Sequence, residues 1–273
     1  MTVPVKRPMF RFAAMGLLSV LLAACNLQRD LLYFPGGTTI SDVEAFVSRN
    51  GLVMWAREGR TEYRGIVSRK GPAAPRGTVV VFHGNAGPAM YRTAYIAALE
   101  PRGYRVVLAE YPGYGGRAGE LSETNLVADA RQTVLRAKRE FGEPLFLWGE
   151  SMGCGIASAL AADPTVQPKG VVMLTPWDSL LHIGKAKFPF LPVKLLLRDT
   201  YDNASNLAKY KGPVAVLMAG QDEVIPNRLT ERLYEGLPQP KRLWVFKRSG
   251  HNDWPSDPEQ AWWDEVMDFL TKG

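Results

Sequence analysis

The sequence predicts an α/β domain in which a mostly parallel β-sheet is covered on both faces by helices. Three observations predict it. Strand-length apolar runs alternate with helix-length segments over most of the chain, and continuous apolar strands mark a sheet buried on both sides. A hairpin precedes the alternation, which a mixed sheet accommodates. Finally, 273 residues of which 46% are hydrophobic and 22% charged suit one packed domain rather than a disordered chain.

The first 24 residues have the grammar of an export signal. Lys6, Arg7 and Arg11 form a basic n-region, and Phe12–Ala24 is an uncharged apolar run too short to span a bilayer comfortably. The run ends in Leu22-Ala23-Ala24-Cys25, which resembles the lipobox of bacterial lipoproteins, where the cysteine takes lipid and becomes the mature N-terminus. Residues 25–50 are expected to be a lipidated tether and lead-in. One folded domain is then expected over 51–273, with a small cap insert at about 177–210.

Each element of that domain follows from local pattern. Leu52–Arg57 and Thr61–Arg69 read as a hairpin around Glu58-Gly59-Arg60. Strand Thr78–Phe82 precedes a helix near Ala89–Glu100, and strand Arg105–Glu110 precedes an amphipathic helix Leu121–Glu140. Strand Leu145–Trp148 runs into a small-residue helix from Ser151 to Ala162. After strand Val171–Leu174 the rhythm breaks at Trp177–Tyr210, which reads either as a cap or as short helices packed on the core. Strand Val214–Ala219, helix Asn227–Gly236, strand Leu243–Phe246 and a helix from Pro258 to Lys272 complete the chain.

A formal charge of +6 is reduced to about +3 once the signal's Lys6, Arg7 and Arg11 are removed. No basic stripe interleaved with aromatics is present, so nucleic acid is not an expected partner. Of the two cysteines, Cys25 is assigned to lipid, which leaves Cys154 as a small packing residue without a disulfide partner.

The chemistry is carried by three loops. Gly149-Glu150-Ser151-Met152-Gly153 is G-x-S-x-G between a strand and a helix, a turn that exposes a serine hydroxyl. His251 follows the last strand, and Asp222 follows the strand ending near Ala219. The order Ser, acid, His therefore places Ser151 as nucleophile, Asp222 as acid and His251 as base. Asp178 is the rival acid, because it too follows a core strand; His83 and His182 lie in the wrong places for the base. The loop His83-Gly84-Asn85-Ala86-Gly87 suits an oxyanion hole, with the amides of Met152 and Asn85 as donors.

These residues, with Tyr111-Pro112-Gly113-Tyr114-Gly115, Gly220–Pro226, Gly250-His251-Asn252-Asp253 and Leu32-Tyr33-Phe34-Pro35, resemble the bud-emergence type of α/β-hydrolase. That branch is related to the serine-aminopeptidase-like and depalmitoylating hydrolases. The resemblance implies the α/β-hydrolase fold with an eight-stranded sheet and esterase-like chemistry that uses neither cofactor nor metal. It does not imply a substrate. Trp177 departs from the family, and its indole is expected to narrow an acyl pocket.

The expectation is a serine hydrolase of carboxylic esters or thioesters. It is taken to be a monomer that meets a small-molecule substrate and is held to a membrane through Cys25. Its expected place is the cell envelope, on the periplasmic face of the outer membrane where the host has two membranes. Two other readings stand beside it: an aminopeptidase-like serine hydrolase, and a non-catalytic lipid-anchored binding module.

Overall fold

Val79, Val80 and Val81 are all buried, although their side chains alternate between the two faces of a strand. Only a sheet covered on both sides allows this. In the computed structural model, which describes residues 28–59 and 62–272, eight strands form that sheet. They are β1 (Leu52–Trp55), β2 (Gly65–Ser68), β3 (Gly77–Phe82), β4 (Tyr104–Ala109), β5 (Leu145–Glu150), β6 (Gly170–Leu174), β7 (Val214–Ala219) and β8 (Lys241–Phe246). The signal segment 1–24 and Cys25 lie outside the described residues.

The strand order is β1-β2-β4-β3-β5-β6-β7-β8. β1 and β2 pair antiparallel, β2 pairs antiparallel with β4, and every later pairing is parallel. The chain passes from β3 to β4 on one side and returns to β5 on the other. The loops leaving β3 and β5 are thus neighbours at the C-terminal edge, where α/β sheets place their ligands.

Helices cover both faces. Helices α1 (Ile40–Arg49), α2 (Ala94–Leu99) and α9 (Trp262–Lys272) pack with Val79, Val81, Phe146 and Trp148. The other face carries α3 (Glu123–Phe141), α4 (Met152–Ala161) and α8 (Asn227–Gly236), packed with Val80, Phe82, Leu145 and Leu147.

Residues 28–50, expected as tether and lead-in, are docked on this body. α1 opens with a capping box, in which Thr39 Oγ1 accepts from the Asp42 amide while the Asp42 carboxylate accepts from the Thr39 amide, and it buries Val43 and Val47. Tyr33 is buried as well.

The insert after β6 holds three short helices, α5 (Leu180–Lys187), α6 (Val193–Leu196) and α7 (Asn203–Leu207). α7 belongs to the core: Asn203 Oδ1 accepts from Ser158 Oγ of α4 at 2.7 Å, and Asn203 Nδ2 donates to Trp177 O. The stretch around α6 is different, with Phe190 98% and Leu195 79% exposed. The insert is thus packed on the core at α7 and exposed around α6.

Candidate active site

Between the end of β5 and the start of α4 the chain turns within one residue, Ser151. Its backbone sits at φ 50°, ψ −114°, a conformation costly for any residue with a Cβ. Two fixed contacts hold it there: the Ser151 amide donates to Leu174 O at 2.9 Å, and the Cys154 amide donates to Ser151 O at 2.9 Å. The flanking glycines are required by space. A Cβ on Gly149 would meet the Cα of Cys154 at 2.5 Å, and one on Gly153 would overlap the carbonyl of Phe82. Close packing of α4 on β3 thus depends on the second glycine of the motif.

His251 and Asp222 reach this serine from the ends of β8 and β7. His251 Nε2 lies 3.0 Å from Ser151 Oγ, and His251 Nδ1 lies 2.8 Å from Asp222 Oδ2. With the Nδ1 proton pointed at the carboxylate, Nε2 presents its lone pair to the serine hydroxyl. The other carboxylate oxygen, Oδ1, accepts from the Val224 amide at 2.9 Å and the Ile225 amide at 2.7 Å, which fixes the side chain. One side chain thus caps the turn after β7 and orients the histidine. The His251 loop is pinned in turn: its amide donates to Glu223 Oε2 at 3.1 Å, and the Gly250 amide donates to Asp253 Oδ1. Glu223's own amide, and then that of His251, hold its carboxyl below the usual glutamate range.

The loop after β3 runs against the nucleophile, with the Cβ position of Gly84 at 3.6 Å from Ser151 Cβ. On the other side, Met152 opens α4, and first-turn amides have no carbonyl within their own helix to bond. Both expected donors, the amides of Met152 and Asn85, therefore belong to segments that flank Ser151. The Asn85 side chain is occupied elsewhere, because Nδ2 donates to Leu32 O at 2.8 Å. The Asn85 carbonyl accepts from the Phe34 amide and from the Tyr114 hydroxyl.

The sequence reading missed what holds this loop. Glu110, fully buried at the end of β4, places Oε1 3.0 Å from His83 Nε2 and accepts from the amides of Ala89 and Tyr111 and the hydroxyl of Tyr63. Tyr111 donates its hydroxyl to His83 O at 2.8 Å. One carboxylate thereby ties β4 to the loop from three directions. The available signal was a single acidic residue directly after the apolar run Val106–Ala109. A second missed contact lies behind the elbow, where the carboxylate of Glu150 receives Arg92 Nε at 3.1 Å and the Tyr95 hydroxyl at 3.2 Å.

Asp178 has other partners. Its Oδ2 lies 2.7 Å from His182 Nδ1 and accepts from Arg232 at 3.1 Å, while Oδ1 takes the Ser179 amide. Trp177 is buried, and its indole N–H donates to Tyr201 O at 3.1 Å, so it ties the two ends of the insert together. Cys154 is buried with its thiol directed at the carbonyls of Gly149 and Leu174; burial pushes its pKa well up.

A family model described as serine aminopeptidase, S33, matches residues 73–191. The fold resembles a Pyrococcus furiosus esterase at a TM-score of 0.61 and 19% identity, covering 76% of this chain and 84% of that one. An uncharacterized protein of Mycobacterium tuberculosis is 31% identical over 273 residues, 97% of this chain and 95% of that protein. The chain belongs to the α/β-hydrolase family. This α/β-hydrolase is also 28% identical over 185 residues to the lysophosphatidylserine lipase ABHD12 of Danio rerio, which covers 60% of this chain and 48% of that protein.

Proposed function

We propose that this α/β-hydrolase cleaves carboxylic esters or thioesters through an acyl-enzyme on Ser151. The observation that carries the reading is His251, whose two ring nitrogens are engaged at 3.0 Å by Ser151 Oγ and at 2.8 Å by Asp222 Oδ2. In acylation, His251 Nε2 takes the hydroxyl proton as Oγ bonds to the carbonyl carbon. The negative charge that develops on the carbonyl oxygen is met by the Met152 and Asn85 amides. Collapse expels the alkoxide or thiolate, which takes the proton from His251. Water then gives a proton to the same nitrogen and attacks the acyl carbon, and collapse releases the carboxylic acid as Ser151 Oγ takes the proton back from His251. Asp222 keeps the imidazole in one tautomer throughout.

A fluorophosphonate probe tests this reading directly. One adduct per chain, located on Ser151 by mass spectrometry and lost in Ser151→Ala, supports it; no adduct on Ser151 ends it. The serine aminopeptidase model over residues 73–191 favours one second reading, hydrolysis of an N-terminal peptide bond. A panel of ester, thioester and aminoacyl-amide substrates separates the two.

The bud-emergence-type assignment belongs to the same proposal, as does a monomer anchored by lipid on Cys25 in the cell envelope, at the outer membrane where there is one. Stable anchoring takes more than one acyl chain. Metabolic labelling with a radioactive fatty acid should mark the wild type and not Cys25→Ser. An unlabelled wild type would remove the anchor from the proposal.

A further inference from the structure

Eight large apolar side chains stand exposed among the described residues, and all but Val245 fall on three segments. Leu31 and Phe34 belong to the lead-in. Tyr91 follows the loop after β3. The rest, Phe188, Phe190, Leu191 and Leu195, form the tip of the insert. A random scatter of exposed apolar residues needs no explanation, but a concentration of this kind marks an interaction surface.

Hydrogen bonds join the lead-in to both of the other segments. Phe34 donates its amide to Asn85 O at 2.9 Å and accepts from the Gly87 amide at 3.1 Å, beside the ring of Tyr91. At its other end the lead-in meets the insert. Gln28 Nε2 donates to Asp199 O at 2.9 Å and its Oε1 accepts from the Arg198 amide at 2.8 Å, while Tyr33 donates to Asp199 Oδ2 at 2.7 Å.

The charge on the insert tip has one sign. Between Asp178 and Asp199 the sequence carries Lys185, Lys187, Lys194 and Arg198 and no acidic residue. All four are exposed, and none of them forms an ion pair among the described residues. Aromatic and leucine side chains flanked by exposed lysines match a headgroup layer that is anionic outside and apolar beneath.

We propose that the insert tip, with Leu31 and Phe34 beside it, is a docking face for an anionic lipid bilayer. Each lysine near such a surface adds to the attraction, and Phe190 and Leu195 lose their water on insertion. A bilayer is favoured over a protein partner by the charge, since four exposed cations and no acidic residue stand among the exposed apolar side chains of the insert tip. Among the described residues no helix is long and apolar enough to cross a membrane, so the contact is peripheral. It goes beyond the lipid anchor proposed above and does not need it. Because the lead-in pairs with Asn85 and Gly87, a bilayer held at this face lies beside the loop that flanks Ser151.

Hydrogen exchange on the full-length protein tests the proposal, using vesicles of phosphatidylcholine alone or of equimolar phosphatidylcholine and phosphatidylglycerol. Amides of residues 190–197 should be protected on the anionic vesicles and much less on the neutral ones. The protection should survive Cys25→Ser, which separates this contact from acylation. It should be lost in Lys185→Glu/Lys187→Glu/Lys194→Glu, with thermal melting and fluorophosphonate labelling of Ser151 unchanged. A missing label with protection intact would overturn the catalytic reading alone. Equal protection on both vesicles, no protection on bound protein, or protection without vesicles in a dimer covering the same face would each overturn the docking face.

Discussion

Glu110 Oε1 lies 3.0 Å from His83 Nε2, and neither side chain is open to solvent. The pair joins the end of β4 to the loop beside Ser151, so the loop's position is set by a carboxylate that never meets substrate. A buried donor left without its acceptor costs about 1–3 kcal/mol. Glu110→Ala should therefore lower stability in urea by at least that amount, since His83 and the amides of Ala89 and Tyr111 all face its carboxylate. A variant as stable as the wild type would show that the pair does not organise the loop.

Ser151→Ala removes one oxygen from a residue whose backbone is held by Leu174 and Cys154. Hydrolysis should fall by about 10⁴-fold or more, as it does when triad members are removed, while the thermal midpoint stays close to that of the wild type. Retention of most activity would move the nucleophile elsewhere.

The two candidate acids should separate cleanly. Asp222→Asn should cut kcat by about 10⁴, the usual result of holding the histidine in the wrong tautomer. Asp178→Asn touches His182 and Arg232 instead, and should cost far less in turnover. The reverse ranking would transfer the acid's role to Asp178.

Glu223 gives a pH signature. Backbone amides, its own and that of His251, lower its pKa in the folded protein. Its stabilising contribution is then complete above the ordinary glutamate pKa and disappears as pH falls through the lowered value. Thermal midpoints of wild type and Glu223→Gln, compared across acidic pH, should differ most above the carboxylate range and converge below it. A gap that does not change with pH would mean that the charge contributes nothing.

Cys154 should resist modification. Its thiol is buried and held protonated, and the thiolate is the form that reacts. Iodoacetamide at neutral pH should leave Cys154 unlabelled until denaturant is added. Rapid labelling of the native protein would contradict its packing role.

The sheet was legible because its strands are short apolar runs, and runs such as Val79–Val81 have few other places to go. The order of Ser151, Asp222 and His251 was legible for a related reason, since each follows a strand whose end is easy to find. Glu110 was not, because its partners come from Tyr63 just ahead of β2, the β3 loop and the start of β4's own loop, and no local pattern joins them. The docking of Tyr33 onto Asp199 was also hidden, as 166 positions separate the two. Helix α1 went unread although Thr39 and Asp42 carry its start signal, because the flanking segment looked like a tether. In the insert, Asn203 and Phe190 differ only in what reaches them from elsewhere in the chain.

The lead-in strand also sets where this protein can be cut. Residue 50 looks like a domain boundary in the sequence, and a shortened form for crystallisation or expression would naturally start there. Such a chain would lose Tyr33 from the core, leave the Tyr201 hydroxyl without its 2.9 Å partner and strip Asn85 of two of its bonds. A shortened form that keeps these contacts begins no later than Gln28.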